Sequence, residues 1–277
     1  MPTKSSPGAT ALVIVLAIVF LFPFVYLLGG ALKTNDEALT KPATVIPTQL
    51  HWENFIAVFT EGQIDIPIQT FNSTVTTFAV TIGQILVAAL AGYAFARIQF
   101  VGRDPLFLIF LATLIVPFEL LFVPLYLMLA KWGWINTYWA LIVPSLGNPF
   151  AIFMFRQFFI TVPKELEEAM IVDGAGALRV FWSLMLPLSA PPAVSIFILT
   201  WLAEWSGLLK QMLFTTSENM WTLQVGLNFL NRGAQVTTPT VAYLMAGIVL
   251  ASLPPIVMFL ILQRRFVESI AQTGLKG

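Results

Sequence analysis

Two carboxylates stand where carboxylates are expensive. Glu119 is the only charge between Pro105 and Ala130, and Glu204 the only charge between Ala190 and Leu209, in runs otherwise built from apolar side chains. A charged group in the middle of a bilayer costs at least ~2.5–3.5 kcal/mol on insertion scales, so such residues face protein or water rather than lipid. In a solute route they would accept hydrogen bonds from hydroxyl groups, chemistry that suits polyhydroxylated molecules. The alternative is an ion pair with a neighbouring helix. Asn148 is a further polar candidate on this route, and Trp205 offers a flat face that could stack on a sugar ring or simply pack. Asn228 and Trp221 fall before the last apolar run, in a segment that could form an outer cap.

Other chemistries are poorly supplied. The chain has no Cys and one His, which removes thiolate nucleophiles, Cys-ligated zinc and any multi-histidine metal site. That single imidazole, His51, lies in the polar, aromatic stretch LHWENF and reads as a surface residue. No GxxxxGK[ST] phosphate loop occurs, so the chain does not bind ATP by that motif. With 14 basic and 14 acidic residues, the basic excess that nucleic-acid binding demands is missing.

The elements that position these residues follow from composition. The 277-residue chain is 58% hydrophobic and 10% charged, against roughly 25% charged for a water-soluble domain. A bilayer core about 30 Å thick needs roughly 20 apolar residues of helix. Six runs qualify: Ala11 to Leu32, Phe71 to Ala96, Pro105 to Ala130, Tyr138 to Ile160, Ala190 to Leu209 and Val241 to Gln263. The first exceeds the ~7–15 apolar residues of a secretory signal and is expected to be a retained span. Prolines inside the runs, among them Pro23, Pro117, Pro144, Pro149, Pro254 and Pro255, predict kinked helices. The second run carries Gly83, Ala88, Ala89, Ala91 and Gly92, small residues that let helices approach closely in lipid, and is expected to be central. The expected fold is therefore all-α and polytopic, with six transmembrane helices in one membrane domain spanning 11–263, a short segment 1–10 before it and a tail 264–277 after it.

Orientation follows from Lys and Arg. With the N-terminus inside, inner loops receive Lys4, Arg97, Arg103, Arg156, Lys164, Arg179, Arg264, Arg265 and Lys276, while outer segments receive Lys33, Lys41, Lys131, Lys210 and Arg232. The bias favours both termini on the cytoplasmic side. Trp132, Trp134, Tyr138 and Trp139 cluster at the turn after the third span, where aromatic rings prefer the headgroup level.

The longest inner loop, 161–190, is patterned rather than passive. Pro163 suits a first helical position, and Glu165, Glu167 and Glu168 put negative charge at the positive end of a helix dipole. Leu166, Ala169 and Met170 share a face, from which Glu168 points away. Asp173-Gly174 reads as a turn. A second helix then carries Leu178, Phe181, Trp182 and Met185 at helical spacing and is expected to stop at Pro187. The product is an amphipathic protrusion that either rests on lipid or docks on a protein.

The residues favour docking. Glu168-Ala169-Met170, Asp173-Gly174-Ala175 and Leu186-Pro187-Leu188 together resemble the EAA loop of ABC importer permeases, with Met170 standing where the pattern has a second Ala. Gly92-Tyr93-Ala94-Phe95-Ala96-Arg97 with Phe100, Gly102 and Arg103 resembles the second-span exit of the carbohydrate-uptake type, similar to the inner permease of the maltose importer. Pro117, Glu119, Pro124, Tyr126, Gly133, Asn136, Thr137 and Pro144, and the tail Thr273 to Gly277, resemble the same type. One stretch departs: Trp205-Ser206-Gly207 and Gln211-Met212 replace the usual Trp-Asn-acidic and Pro-Leu pairs.

The resemblance implies a type I ABC importer permease fold whose coupling helix uses Glu165, Leu166, Glu168, Ala169, Met170, Asp173, Gly174 and Ala175 to meet an ATPase. It implies a heteromeric assembly in a prokaryotic plasma membrane, with a second permease subunit, two ATP-binding subunits that hold ATP and Mg2+, and an extracytoplasmic solute-binding protein. This chain itself would then bind no cofactor and catalyse no reaction. The solute is expected to be a sugar, polyol or related molecule, with a glycerol phosphate or glycerophosphodiester as the alternative. An autonomous secondary carrier is the reading of a different class, but the internal inverted repeat it would predict is not visible.

Overall fold

The computed structural model describes residues 7–60, 64–234 and 241–274. Among them every regular element is helical: α1 (Pro7–Ala31), α2 (Asn35–Thr40), α3 (Asn54–Thr60), α4 (Ile66–Arg97), α5 (Arg103–Ala112), α6 (Phe122–Lys131), α7 (Tyr138–Ile142), α8 (Pro149–Thr161), α9 (Lys164–Val172), α10 (Ala177–Val180), α11 (Leu186–Leu188), α12 (Ala190–Trp205), α13 (Leu209–Phe214), α14 (Leu223–Ala234) and α15 (Val241–Gly274). Lys4 and Lys276, used above for orientation, lie outside the described residues, as do residues 1–6 of the N-terminal segment and 275–277 of the tail.

Three helical stretches are long and apolar enough to cross a membrane alone, Gly8–Ala31, Ile66–Arg97 and Val241–Gln263. Three more arise as bent pairs: residues 103–115 with 118–131 at 91°, 138–145 with 149–161 at 43°, and 177–188 with 190–205 at 73°. Counting each pair as one span gives up to six by length and composition. The first two bends have a common cause, because a residue before proline is pushed out of the helical region. Val116, before Pro117, is extended at φ −87° and ψ 113°, and Asn148, before Pro149, at φ −122° and ψ 107°. Proline alone is not sufficient, since α1 runs through Pro23 and α15 through Pro254 and Pro255 without a break.

The chain forms two compact units. The first comprises residues up to 68 together with 225–254. In it, residues 9–25 of α1 are exposed apolar surface from end to end, which only lipid or another apolar partner can cover. Further along, Gly30 admits Met245, whose Sδ lies 2.0 Å from where a Cβ would stand. Lys33, expected as an outer loop cation, is instead buried, its Nζ donating to the carbonyls of Lys41 at 2.9 Å and Thr44 at 2.6 Å. His51 pairs at the surface with Glu53, whose carboxyl is held below the usual carboxylate range chiefly by the hydrogen bond from that imidazole.

The second unit comprises 69–224 and the chain from 255 onward. Its core joins Ala88, Ala89 and Tyr93 of α4 to Ile152, Phe155 and Phe159 of α8 and to Phe181 and Met185. Of the three long spans α4 is the most enclosed, 39% buried over its apolar window against 0% for α1 and 17% for α15. Small residues permit this: a Cβ on Gly92 would lie 2.7 Å from Phe155 Cβ and 2.9 Å from the Arg156 backbone nitrogen. The expected aromatic cluster also forms, with Trp132 and Trp134 rings 5.2 Å apart and Trp134 and Trp139 6.1 Å apart.

In an exposed helix, replacing Gly by Ala stabilises by about 1 kcal/mol. Here Gly92→Ala is expected to destabilise instead, because the methyl meets backbone rather than a pliable side chain, at a cost of about 1–3 kcal/mol for overpacking. Thermal unfolding of detergent-solubilised protein checks the sign; a raised midpoint would mean that α8 retreats freely.

Candidate functional site

Within the second unit the predicted residues fall into two places, the 161–190 loop and a cavity. In the loop, α9 starts at Lys164 with Pro163 just before it, and ends in a motif fixed by two hydrogen bonds. Gly174 N–H donates to Ile171 O and Ala175 N–H to Met170 O, both at 2.9 Å. This is the Schellman arrangement, in which the residue after the cap takes a left-handed conformation that glycine adopts freely. Gly174 has φ +82° and open space where a Cβ would stand, so its requirement is conformational, not steric. Ala175 is buried in the same core that Met170 packs against, and the pair supplies the apolar contact that accompanies such a terminus.

Of the eight residues expected to meet a partner, Met170, Gly174 and Ala175 thus build the end of the helix. Glu165, Leu166, Glu168, Ala169 and Asp173 remain exposed. Ile171 and Val172 join that surface with 58% and 86% exposure, as do Leu178 and Trp182. The second helix therefore has two apolar faces, Phe181 and Met185 inward and Leu178 and Trp182 outward. It ends at Leu188, one residue past Pro187. A π-helical turn, Phe181–Met185, carries the chain into α11, with Leu186 N–H bonded to Phe181 O. The wider turn relieves the clash a proline ring makes with the preceding turn of an α-helix.

Sequence reasoning missed the residue that anchors this loop. Glu167 is buried, accepting a hydrogen bond from the Tyr93 hydroxyl on Oε1 at 2.9 Å, with Oε2 3.2 Å from Arg97 Nε. Arg97 also donates through Nη2 to the carbonyl of Val162, just before α9. The signal was available, since Glu167 lies three residues before Met170 and so shares its inward face. Nearby, Arg156 stacks its guanidinium 4.2 Å above the Phe107 ring and donates to Phe95 O at 3.2 Å, tying α8 to α5 and α4.

The cavity, of about 710 Å3, is bordered by Glu119, Asn148 and Glu204, together with Gln84, Lys210 and Gln211. Three of the four predicted route residues are therefore brought together. The fourth is not: Trp205 is buried and stacks on Trp201, ring centroids 5.2 Å apart and planes 5° from parallel, away from the cavity wall. Asn148 uses its Oδ1 to cap α8, accepting from Phe150 N–H at 2.9 Å and Ala151 N–H at 3.2 Å. Trp221 and Asn228 do not border the cavity.

Glu204 takes the ion-pair alternative. Lys210 Nζ lies 2.8 and 2.6 Å from its two oxygens, 2.7 Å from Ser145 Oγ and 3.2 Å from Leu141 O. Lys210, expected as an outer loop cation, is thus buried in the span region. The helix breaks after Trp205 and resumes at Leu209, so the chain folds back and brings a residue six positions on against Glu204, a pairing that helical spacing does not foretell. Gln84 extends the network, donating to Ser145 O at 2.8 Å and accepting from the Thr200 hydroxyl. Glu119 makes no side-chain hydrogen bond among the described residues and is exposed at the cavity, beside the 91° bend. No group of three or more His, Cys, Asp and Glu suited to a metal occurs among the described residues.

Residues 84–272 match the family model described as binding-protein-dependent transport system inner membrane component. The chain is 32% identical, over the full length of both proteins, to the arabinooligosaccharides transport system permease protein of Halalkalibacterium halodurans. It is 31% identical to the sn-glycerol-3-phosphate transport system permease protein of Yersinia enterocolitica, over 95% of this chain and 94% of that one. In three dimensions it is similar to a chain of a bacterial ABC transporter involved in the import of the acidic polysaccharide alginate, with a TM-score of 0.80 and 20% identity over 96% of this chain and all of the other.

Removing one partner of a buried ion pair costs about 3–5 kcal/mol because the survivor is left uncompensated. Glu204→Gln is therefore expected to lower the thermal midpoint of the purified protein sharply, and Glu204→Gln combined with Lys210→Met to recover much of the loss. A single variant as stable as the double would mean that the pair is not coupled.

Proposed function

This chain belongs to the family of binding-protein-dependent transport system inner membrane components, and on that premise we propose that it is the transmembrane subunit of an ATP-driven importer for a sugar, polyol or related solute. Its partners in this reading are a second permease subunit, two ATP-binding subunits that carry ATP and Mg2+, and an extracytoplasmic binding protein. The chain itself supplies a route and a lever, not a catalytic group. Both termini and the 161–190 loop lie on the cytoplasmic side, where the excess of Lys and Arg in the sequence puts them. A glycerol phosphate or glycerophosphodiester is the second solute class, supported by the glycerol-3-phosphate relative.

The observation that carries the proposal is the mounting of α9. Its outer surface presents Glu165, Leu166, Glu168, Ile171 and Val172, while its inner surface is locked to α4 through Glu167, Arg97 and Tyr93. A load applied by an ATPase to the outer surface passes into the most enclosed span rather than into a floppy loop. ATP-dependent closure of the ATPase pair would then move α9 and switch the cavity between the two sides of the membrane.

Two substitutions test the lever. Glu168 is exposed, so Glu168→Ala should leave the fold intact while removing a docking contact. Gly174→Asp puts an L side chain into a left-handed conformation, at about 1–2 kcal/mol, and distorts the end of α9. In the reconstituted importer both are expected to cut solute uptake per ATP hydrolysed by about tenfold, the loss typical of one central interface residue. Undiminished coupling in both variants would reduce the loop to a surface helix. Uptake by this chain alone, without ATPase partners, would instead establish a secondary carrier.

A further inference from the structure

The cavity wall is chemically one-sided. Lys210 is its cation, and all three ammonium hydrogens are committed, because four acceptors of this chain surround Nζ within 3.2 Å: both Glu204 oxygens, Ser145 Oγ and Leu141 O. The ammonium is buried, and its charge is cancelled by the carboxylate it touches. A second feature that could welcome an anion, the N-terminus of the thirteen-residue α8, is also occupied, since Asn148 Oδ1 takes the N–H groups of Phe150 and Ala151.

What remains available carries no free cation: the Asn148 side-chain N–H groups and the rest of the Gln211 amide are neutral donors, and two groups are open acceptors. Glu119 presents a carboxylate that no side-chain hydrogen bond within the described residues engages. Gln211, only 3% exposed, borders the cavity with its Oε1 unpartnered among the described residues, a costly arrangement for a buried carbonyl oxygen. Its amide lies over Gly207, where a Cβ would fall 2.4 Å from Nε2 and 2.8 Å from Oε1, so the glycine makes room for that group. With Glu204 and Lys210 cancelling, Glu119 leaves this wall with one net negative charge.

We propose that this wall selects an electrically neutral polyhydroxylated solute, whose hydroxyls donate to Gln211 Oε1 and the Glu119 carboxylate, and that it disfavours phosphate monoesters and uronic acids. The inference rests on the importer reading above and chooses between its two solute classes. The same acceptors that receive a hydroxyl repel a phosphate, which has no hydrogen to offer at its dianionic oxygens and meets no uncommitted cation. Selection against the wrong solute is thus built from repulsion as much as from attraction.

The test uses the complete permease–ATPase complex in nanodiscs without its binding protein, so that only the membrane route is read. Binding of three probes is titrated: a neutral arabinose trisaccharide, glycerol 3-phosphate and a uronic acid trisaccharide. The neutral probe is expected to bind at least about tenfold more tightly than either anion, the scale of one poorly screened charge. Gln211→Leu should weaken the neutral probe about tenfold, as loss of a buried hydrogen bond does. Glu119→Gln, at an exposed side chain without structural bonds, should narrow the ratio by strengthening the anions. Equal binding of neutral and anionic probes, no binding of the neutral probe, or a ratio unmoved by Glu119→Gln overturns the proposal. The same complex in vesicles is assayed for ATP-dependent uptake; a charge preference that persists while uptake ignores ATP would support the cavity assignment and sink the importer reading alone.

Discussion

A charge held at the edge of a membrane span and almost wholly covered by protein must be neutralised where it sits. Arg97, the last residue of α4, meets that constraint with Glu167 of α9, and the rest of the larger unit is arranged around the pairing. Tyr93, one turn earlier on α4, donates to the same carboxylate, and its ring packs edge-on to Phe159 and against Phe181. The second guanidinium contact, to Val162 O, fixes the chain at the point where α8 gives way to α9. One ion pair therefore decides the exit of α4, the end of α8, the angle of α9 and the inward face of the helix after it. Such a pair is a poor source of net stability, since desolvation offsets much of its attraction. Its consequence is geometric: the loop cannot rotate about its own axis without stranding a buried charge.

The spans were legible because apolar length is a strong signal in lipid, and the small-residue face of α4 correctly marked the helix that others pack against. Two of the three bends were legible as kinks, through the pre-proline rule at Val116 and Asn148, though Pro23 and Pro254 carry the same residue type without the same effect. The helix after Gly176 ends at Leu188, one residue past the expected Pro187, and the π turn that accommodates the proline has no composition of its own to read. In the loop, Gly174 was legible as a turn, but the shared face expected of Leu166, Ala169 and Met170 was not kept, since Met170 packs on the core while Leu166 and Ala169 are exposed. Glu167 was not legible, because three glutamates in four residues looked like one dipole feature when one of them is buried.

The cavity was half legible. Glu119 and Glu204 declared themselves by being charged where charge is costly, yet they proved to be different kinds of residue. Glu204 borders the cavity but is compensated by Lys210 across a chain reversal that no periodicity predicts. Trp205 misled for a related reason: a Trp beside a polar residue can as well stack on another ring, and Trp201, one turn earlier, lies parallel to it. Gln211 was visible only as a departure from the family pattern, together with Gly207. That departure is where the structure puts the cavity's unpartnered acceptor and the glycine that accommodates it.

Polar groups buried in a membrane protein sort by whether their hydrogen bonds close. Thr200, Gln84, Ser145, Lys210 and Glu204 form a chain in which each member has a partner, and a closed network of this sort holds α4, the turn after α7, α12 and α13 in one register. Replacing any member exposes another, so selection acts on such a set for architecture. Gln211 Oε1 and Glu119 do not close: leaving the buried Gln211 oxygen open costs stability, whereas Glu119 is exposed and simply unengaged by other side chains. The contrast between the closed and the open groups, on walls of the same cavity, separates side chains committed to holding helices together from side chains left free to engage a molecule that enters.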